Sequence, residues 1–369
     1  MPKRIIAIVL VGIAAAWLVL TFGAKSRKST VSAREWPMGL GRLDSVPARY
    51  PKQSRTPAAH ELERLAATIP KGPPDPVADY ARKQLQRTDR TIDPAPPISV
   101  DLDAIRSILL SKQPIGWDVD IARAASAPLP NLVAHMKLSR LLTTSALERA
   151  RLGDTNAWED LRSQTTLSRG LWQRPEMISA MIAMAIDRNV IAAARKMPQP
   201  APPWFDELRA FDYRKAMLAA TQAEAWIISS SIKDFSAGDP TGRHWVRHIV
   251  DRTVKAPYLE LSRSDLVARQ RETAIAISSL TTCGLDAPPE RVPWWNQPAK
   301  VLSPNITGAW RRVFRLRAEL ELTEHALGLR SGTQSQCSDG HWILTPASVK
   351  FSKPIPLDSP GVIPLEIRR

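Results

Sequence analysis

The chain has 369 residues, 44% of them hydrophobic and 24% charged, which is the balance of a folded protein and excludes a largely disordered one. Its net charge of +15 invites a nucleic-acid reading, but residues 1–55 hold ten Lys and Arg against Glu35 and Asp44, a net of +8, leaving +7 for the other 314 residues. No arginine-rich helix or aromatic-interleaved basic strand follows residue 55, so nucleic acid is not an expected partner.

Residues 1–4 form a short leader with Lys3 and Arg4. Ile5 to Phe22, IIAIVLVGIAAAWLVLTF, is an eighteen-residue run without a charge. As a helix it reaches about 27 Å at ~1.5 Å per residue, close to the ~30 Å hydrocarbon core of a bilayer. Lipid offers backbone groups no partners, so such a run is stable there only as a helix. The pattern predicts a transmembrane signal-anchor over 5–22, with the bilayer as its partner and the bulk of the chain outside the cytoplasm. Lys25, Arg27 and Lys28 nearly balance the leader, so the short leader itself, more than the charge rule, sets this orientation. The competing reading is a cleaved signal peptide, with Thr21 and Gly23 as the small residues before the cut. Eighteen residues exceed the ~7–15 of a signal-peptide core and favour the anchor. A buried helix of a soluble body is the third reading, and such helices rarely stay uncharged all round.

Residues 23–55 read as a basic juxtamembrane connector broken by Pro37, Gly39, Gly41, Pro47 and Pro51, its cations suited to an anionic lipid surface. Trp36, Met38, Leu40, Leu43 and Tyr50 suggest that part of it packs on the body, with the lipid headgroups as the other place for Trp36. The stretch 56–330 reads as an irregular, proline-punctuated α-helical domain built of helical hairpins. Thr56-Pro57 is a helix start, with Leu62, Leu65 and Ile69 on one face. Helices follow over Asp75–Arg87 and Asp101–Lys112. From Asn131 to Leu152 the apolar period is clear, and Gly153 and Asp154 then serve as a left-handed stop and the next cap, making the helix that carries Trp158, Leu161 and Leu167 an antiparallel neighbour. Pro175 and Glu176 open a third helix to about Met197, apolar around most of its circumference and expected at the centre of the core. Its charges, Asp187, Arg188 and Arg195, argue against a second crossing. One long helix is expected over Phe205–Phe235, then others over Gly242–Lys255, Ser264–Cys283 and Ile306–Leu329. In 331–369 two short strands, His341–Thr345 and Val349–Ser352, form a hairpin before a proline-rich tail. The fold class is therefore mainly α, with an N-terminal transmembrane helix and a small C-terminal β element.

Candidate chemistry is sparse. His244, His248 and Asp251 share a helix face at metal-ligand spacing, but position 245 is Trp where a zinc-peptidase helix has its Glu, and Arg243, Arg247 and Arg252 oppose a cation. No metal and no cofactor is expected. Ser230 and Lys233 match S-x-x-K without the companion motifs of penicillin-binding enzymes. Glu224, in the apolar stretch Ala223–Ile228, is the candidate for a carboxyl with a raised pKa and a general acid. Glu319, Glu321 and Glu324 sit among Arg311, Arg312, Arg315 and Arg317 and read as a charged surface. Asn305-Ile306-Thr307 fits a glycosylation sequon. Cys283 and Cys337 are either one disulfide or two buried thiols. The expectation is an interaction module or scaffold of an envelope assembly, with other envelope proteins as partners, rather than an enzyme. The alternative is a membrane-tethered envelope hydrolase using Glu224, His244 and His248.

Overall fold

The computed structural model describes residues 17–18, 21–22, 26, 33–69, 75–236, 255–283, 292–355 and 363–368. The anchor expected over 5–22 falls almost wholly outside these residues, and the helix expected over Gly242–Lys255 lies outside them apart from Lys255.

The connector contains more structure than its prolines suggest. Strands β1 (Glu35–Trp36) and β2 (Gly41–Arg42) pair antiparallel. Their turn needs left-handed backbone at Met38 (φ 57°) and Gly39 (φ 69°). A single turn, α1 (Val46–Arg49), follows. Gln222 holds the hairpin by donating to the Gly41 and Arg42 carbonyls, each at 3.2 Å. Trp36 is 2% exposed and belongs to the main core, so packing on the body is its role here.

Short side chains start most of the helices that follow. In α2 (Pro57–Ala67), α3 (Pro76–Gln86), α4 (Leu102–Leu109) and α5 (Leu132–Arg151), the capping oxygens of Thr56, Asp75, Asp101 and Asn131 each accept the N–H three residues on. Gly153, at φ 77°, ends α5 as expected: its N–H donates to Ala150 at 3.1 Å and that of Asp154 to Arg149 at 2.9 Å. Asp154 shapes the turn by accepting the Asn156 N–H at 2.9 Å, and α6 starts at Ala157 and runs to Trp172.

Next come α7 (Met177–Ala194), α8 (Phe205–Ala210), α9 (Tyr213–Ser236), α10 (Ala256–Ser278), α11 (Gln297–Leu302) and α12 (Ile306–Ala326). The expected single helix over Phe205–Phe235 is two, because Asp212 turns its carboxylate to the Lys215 N–H at 2.9 Å and caps a new start. Among the described residues α7 is the one helix long and apolar enough to cross a membrane, yet two-thirds of it is buried inside the protein. It packs against α3, α5, α6, α9 and α12, which makes it the centre of the body.

At the C-terminal end β3 (Trp342–Leu344) and β4 (Ser348–Phe351) form the expected hairpin, and β5 (Glu366–Arg368) adds a third antiparallel strand from the tail. Apolar side chains from Trp36 and Val46 through Leu142 and Ile186 to Trp342 and Ile367 form one connected core. The architecture is a helical body around α7 with a three-stranded sheet against α12.

Candidate functional site

Of the catalytic candidates Glu224, His244 and His248, Glu224 is the one among the described residues. His244, His248 and Asp251 lie outside the described residues, and so does the side chain of Lys233. Glu224 is half-buried on α9, and its Oε2 accepts the Met177 N–H at 3.1 Å. That N–H belongs to the first turn of α7, where no intrahelical acceptor exists, so the carboxylate acts as a tertiary cap. Next to Met177 in sequence, Glu176 accepts two hydrogen bonds from Arg174 (3.0 and 2.7 Å) and one from Ser179 (3.2 Å). Arg174 also donates to the carbonyls of Asp118 (2.6 Å) and Pro128 (3.1 Å), tying the loop before α5 to the start of α7.

Burial pushes the Glu224 carboxyl above its ordinary 4.5, the Met177 N–H opposes this, and the charge of Glu176 adds to it. A carboxyl raised on folding contributes stability below its unfolded pKa, and that contribution is lost as pH rises through the folded value. Glu224→Gln keeps an oxygen for the Met177 N–H and removes the charge. Urea unfolding between pH 4 and pH 8 is therefore expected to show a loss of stability with rising pH in the native chain that is absent from the variant. Parallel profiles for the two proteins would show that the carboxyl carries no such strain.

The three acids of α12 are not a solvated surface, as the sequence pattern suggests. Glu319 is fully buried, Glu321 is 2% exposed and Glu324 is 8% exposed. Glu321 accepts the Trp342 indole N–H (2.8 Å), the Ser335 hydroxyl (2.7 Å) and the Gln336 N–H (2.8 Å), which fixes the β element to the helix. Glu324 pairs with Arg209 at 3.0 Å and Arg330 at 3.1 Å.

Glu319 sits in the densest charge cluster. Arg188, from α7, grips it with two bonds, Nε to Oε2 at 2.8 Å and Nη2 to Oε1 at 2.7 Å. Arg315, one turn before it on α12, donates to Oε1 at 3.0 Å. Arg195 completes the group, bonding Thr323 Oγ1 at 2.9 Å and the Glu319 carbonyl at 3.0 Å. Burial acts to raise the Glu319 carboxyl, but Arg188, Arg315 and Arg195 together hold it below 4.5. Burial pushes Arg195 down to about 10, Glu319 opposing and Arg315 and Arg188 assisting, so it stays cationic at neutral pH. The arginines also clamp the tail: Arg315 donates to the carbonyls of Ile355 (2.9 Å) and Ile363, and Arg195 to that of Pro364 (3.3 Å).

Other motifs resolve into structure. Asn305 of the sequon gives its Oδ1 to the Gly308 N–H at 2.7 Å and caps α12. Ser231, inside S-x-x-K, donates to the Ile227 carbonyl at 2.9 Å. Cys283 and Cys337 are bonded, their Cα atoms 5.2 Å apart, which ties the segment after α10 to the β element. Buried His135, against Trp117 at 4.9 Å, has its imidazole pushed down to about 4 by burial and by Arg174 and Arg55, so it packs as a neutral ring. Neither His135 nor the Glu319 cluster stands out in the sequence, since a His or an Arg-Glu pair on an amphipathic helix is commonplace on a wet face. No family model matches the chain, and comparison with curated proteins and with solved structures gives no match.

Proposed function

We propose that the chain is a single-pass membrane protein. In this reading Ile5–Phe22 holds the helical body outside the cytoplasm, where it serves as an interaction module or scaffold for other envelope proteins. The observation that carries it is the uncharged eighteen-residue run ahead of a folded body. Two further features support it. The Cys283–Cys337 bond suits an oxidising compartment. Trp294 and Val301, 84% and 81% exposed around the start and end of α11, are large apolar side chains of the kind found at protein contacts.

The second reading is an envelope hydrolase, favoured by the raised carboxyl of Glu224 beside Glu176. Affinity purification of the full chain from detergent-solubilised membranes separates the two. The module reading expects a stoichiometric partner whose recovery falls at least fivefold with Trp294→Ser. A chain that purifies alone, together with a cellular phenotype lost in a folded Glu224→Gln variant, favours the hydrolase.

A further inference from the structure

Between α3 and α5, reaching α7, lies a cavity of about 330 Å³, at the low end of the ~300–1,000 Å³ typical of small-molecule sites. Arg82, Arg140, Arg188, Asn189 and one carboxylate, Asp79, supply its polar wall, with Leu85 and Met136 among its apolar residues. Arg140 also lines a second cavity, of about 150 Å³, walled by Ile69, Val77, Ile98 and Leu141. Arg140 thus lines both volumes. Among the described residues half-buried Arg140 makes no hydrogen bond or ion pair, whereas Arg188 on the same cavity wall is bonded to Glu319.

The charge balance favours an anion: three arginines line the cavity against the single carboxylate of Asp79. Arg188 spends two of its five N–H groups on Glu319. Behind it stand Arg195 and Arg315, so three guanidinium groups share one carboxylate, an excess of two positive charges in a region removed from water. Arg82 is matched by Asp79 at 2.7 Å, but both are more than half exposed, so that pair is screened and readily exchanged. Asn189 donates to Ser139 at 3.2 Å, which fixes its amide at the wall. A partly desolvated surplus of guanidinium groups is strongly favourable for an oxyanion, and planar N–H pairs match the oxygen spacing of phosphate.

The geometry points to a binding site for a phosphate-bearing small molecule in the α3–α5 cavity, with Arg140 as its principal contact and Arg188, Arg82 and Asn189 around it. The phosphate belongs either to a soluble ester or to the headgroup of an anionic lipid. The site does not depend on the tether.

Isothermal titration of the full chain in non-ionic detergent tests this, with inorganic phosphate and glycerophosphoglycerol, the water-soluble headgroup of an anionic lipid, as separate titrants. Binding of either is expected, and the tighter one identifies the source. Arg140→Gln is expected to weaken it at least tenfold and Arg140→Lys less. Arg64→Gln, which loses only the exposed pair with Glu61, is expected to leave it unchanged. The Arg140 variants are expected to keep the native far-ultraviolet spectrum and melting temperature, because that guanidinium holds no described neighbour. Absence of binding by both titrants, or equal affinity in the native chain and folded Arg140→Gln, overturns the assignment.

Discussion

Glu319→Ala is expected to cost about 3–5 kcal/mol, the loss that follows removal of one partner from a buried ion pair, and to leave much of the chain unfolded at 37 °C. The carboxylate is fully buried and is the common partner of Arg188 and Arg315, with Arg195 beside it. Its removal leaves three guanidinium groups with no anion, in a place where each is costly to keep charged. The effect reaches the C-terminus, because Arg315 and Arg195 also hold the carbonyls of Ile355, Ile363 and Pro364. Glu319→Gln keeps an acceptor and is expected to fall between. Since the folded carboxyl titrates below 4.5, its stabilisation is present above the unfolded pKa and is lost as pH falls through the folded value. Urea midpoints at pH 7 measure these differences. A Glu319→Ala change no larger than that of Glu61→Ala, in the exposed pair with Arg64, would show that the cluster does not hold α7 to α12.

Much of the helical layout was legible because apolar period and caps agreed. Asn131 and Gly153 bracket α5, and the apolar run Met177 to Ala194, with Asp187 and Arg188 arguing against a crossing, pointed to a core helix. What the sequence hid was set by contacts remote along the chain. The charges of α12 follow the i, i+4 spacing of a wet face, and only β3 to β5 and α7, through contacts 21 and 131 residues away, convert that face into an interior. Asp212 looks like one acid among several until its carboxylate is seen on the Lys215 N–H. The β1–β2 turn puts a methionine at positive φ, which no turn preference foretells. Strand β5 is three residues after a proline-spaced tail, too short for any periodicity. The candidate site fared worse: Glu224 was found by its apolar setting, whereas Arg140 stands out only by the cavities it lines, which sequence cannot show.

Opening the Cys283–Cys337 bond is expected to be the second large loss. With the two positions 54 apart in sequence, the loop-entropy relation gives about 4 kcal/mol from the freedom restored to the unfolded chain. Locally the bond anchors a segment with few helical contacts: Cys283 donates its N–H to Asp339 at 2.9 Å, and Ser338 donates to the Thr281 carbonyl at 2.9 Å. The β element then depends on Glu321 alone among the α12 acids to keep its place. Urea unfolding with and without dithiothreitol is expected to show a lower midpoint on reduction. Cys283→Ser with Cys337→Ser should match the reduced protein. Coincident curves for oxidised and reduced chains would show that the bond adds nothing to stability.

The proposed role rests on a tethered body. The most direct test is to lyse cells without detergent, wash the membranes in alkaline carbonate and follow the full-length product with its leader intact. The account predicts that it stays in the membrane pellet and that Cys283 and Cys337 react with a thiol reagent only after reduction. Full-length chain in the high-speed supernatant, with both thiols reactive from the start, would contradict it.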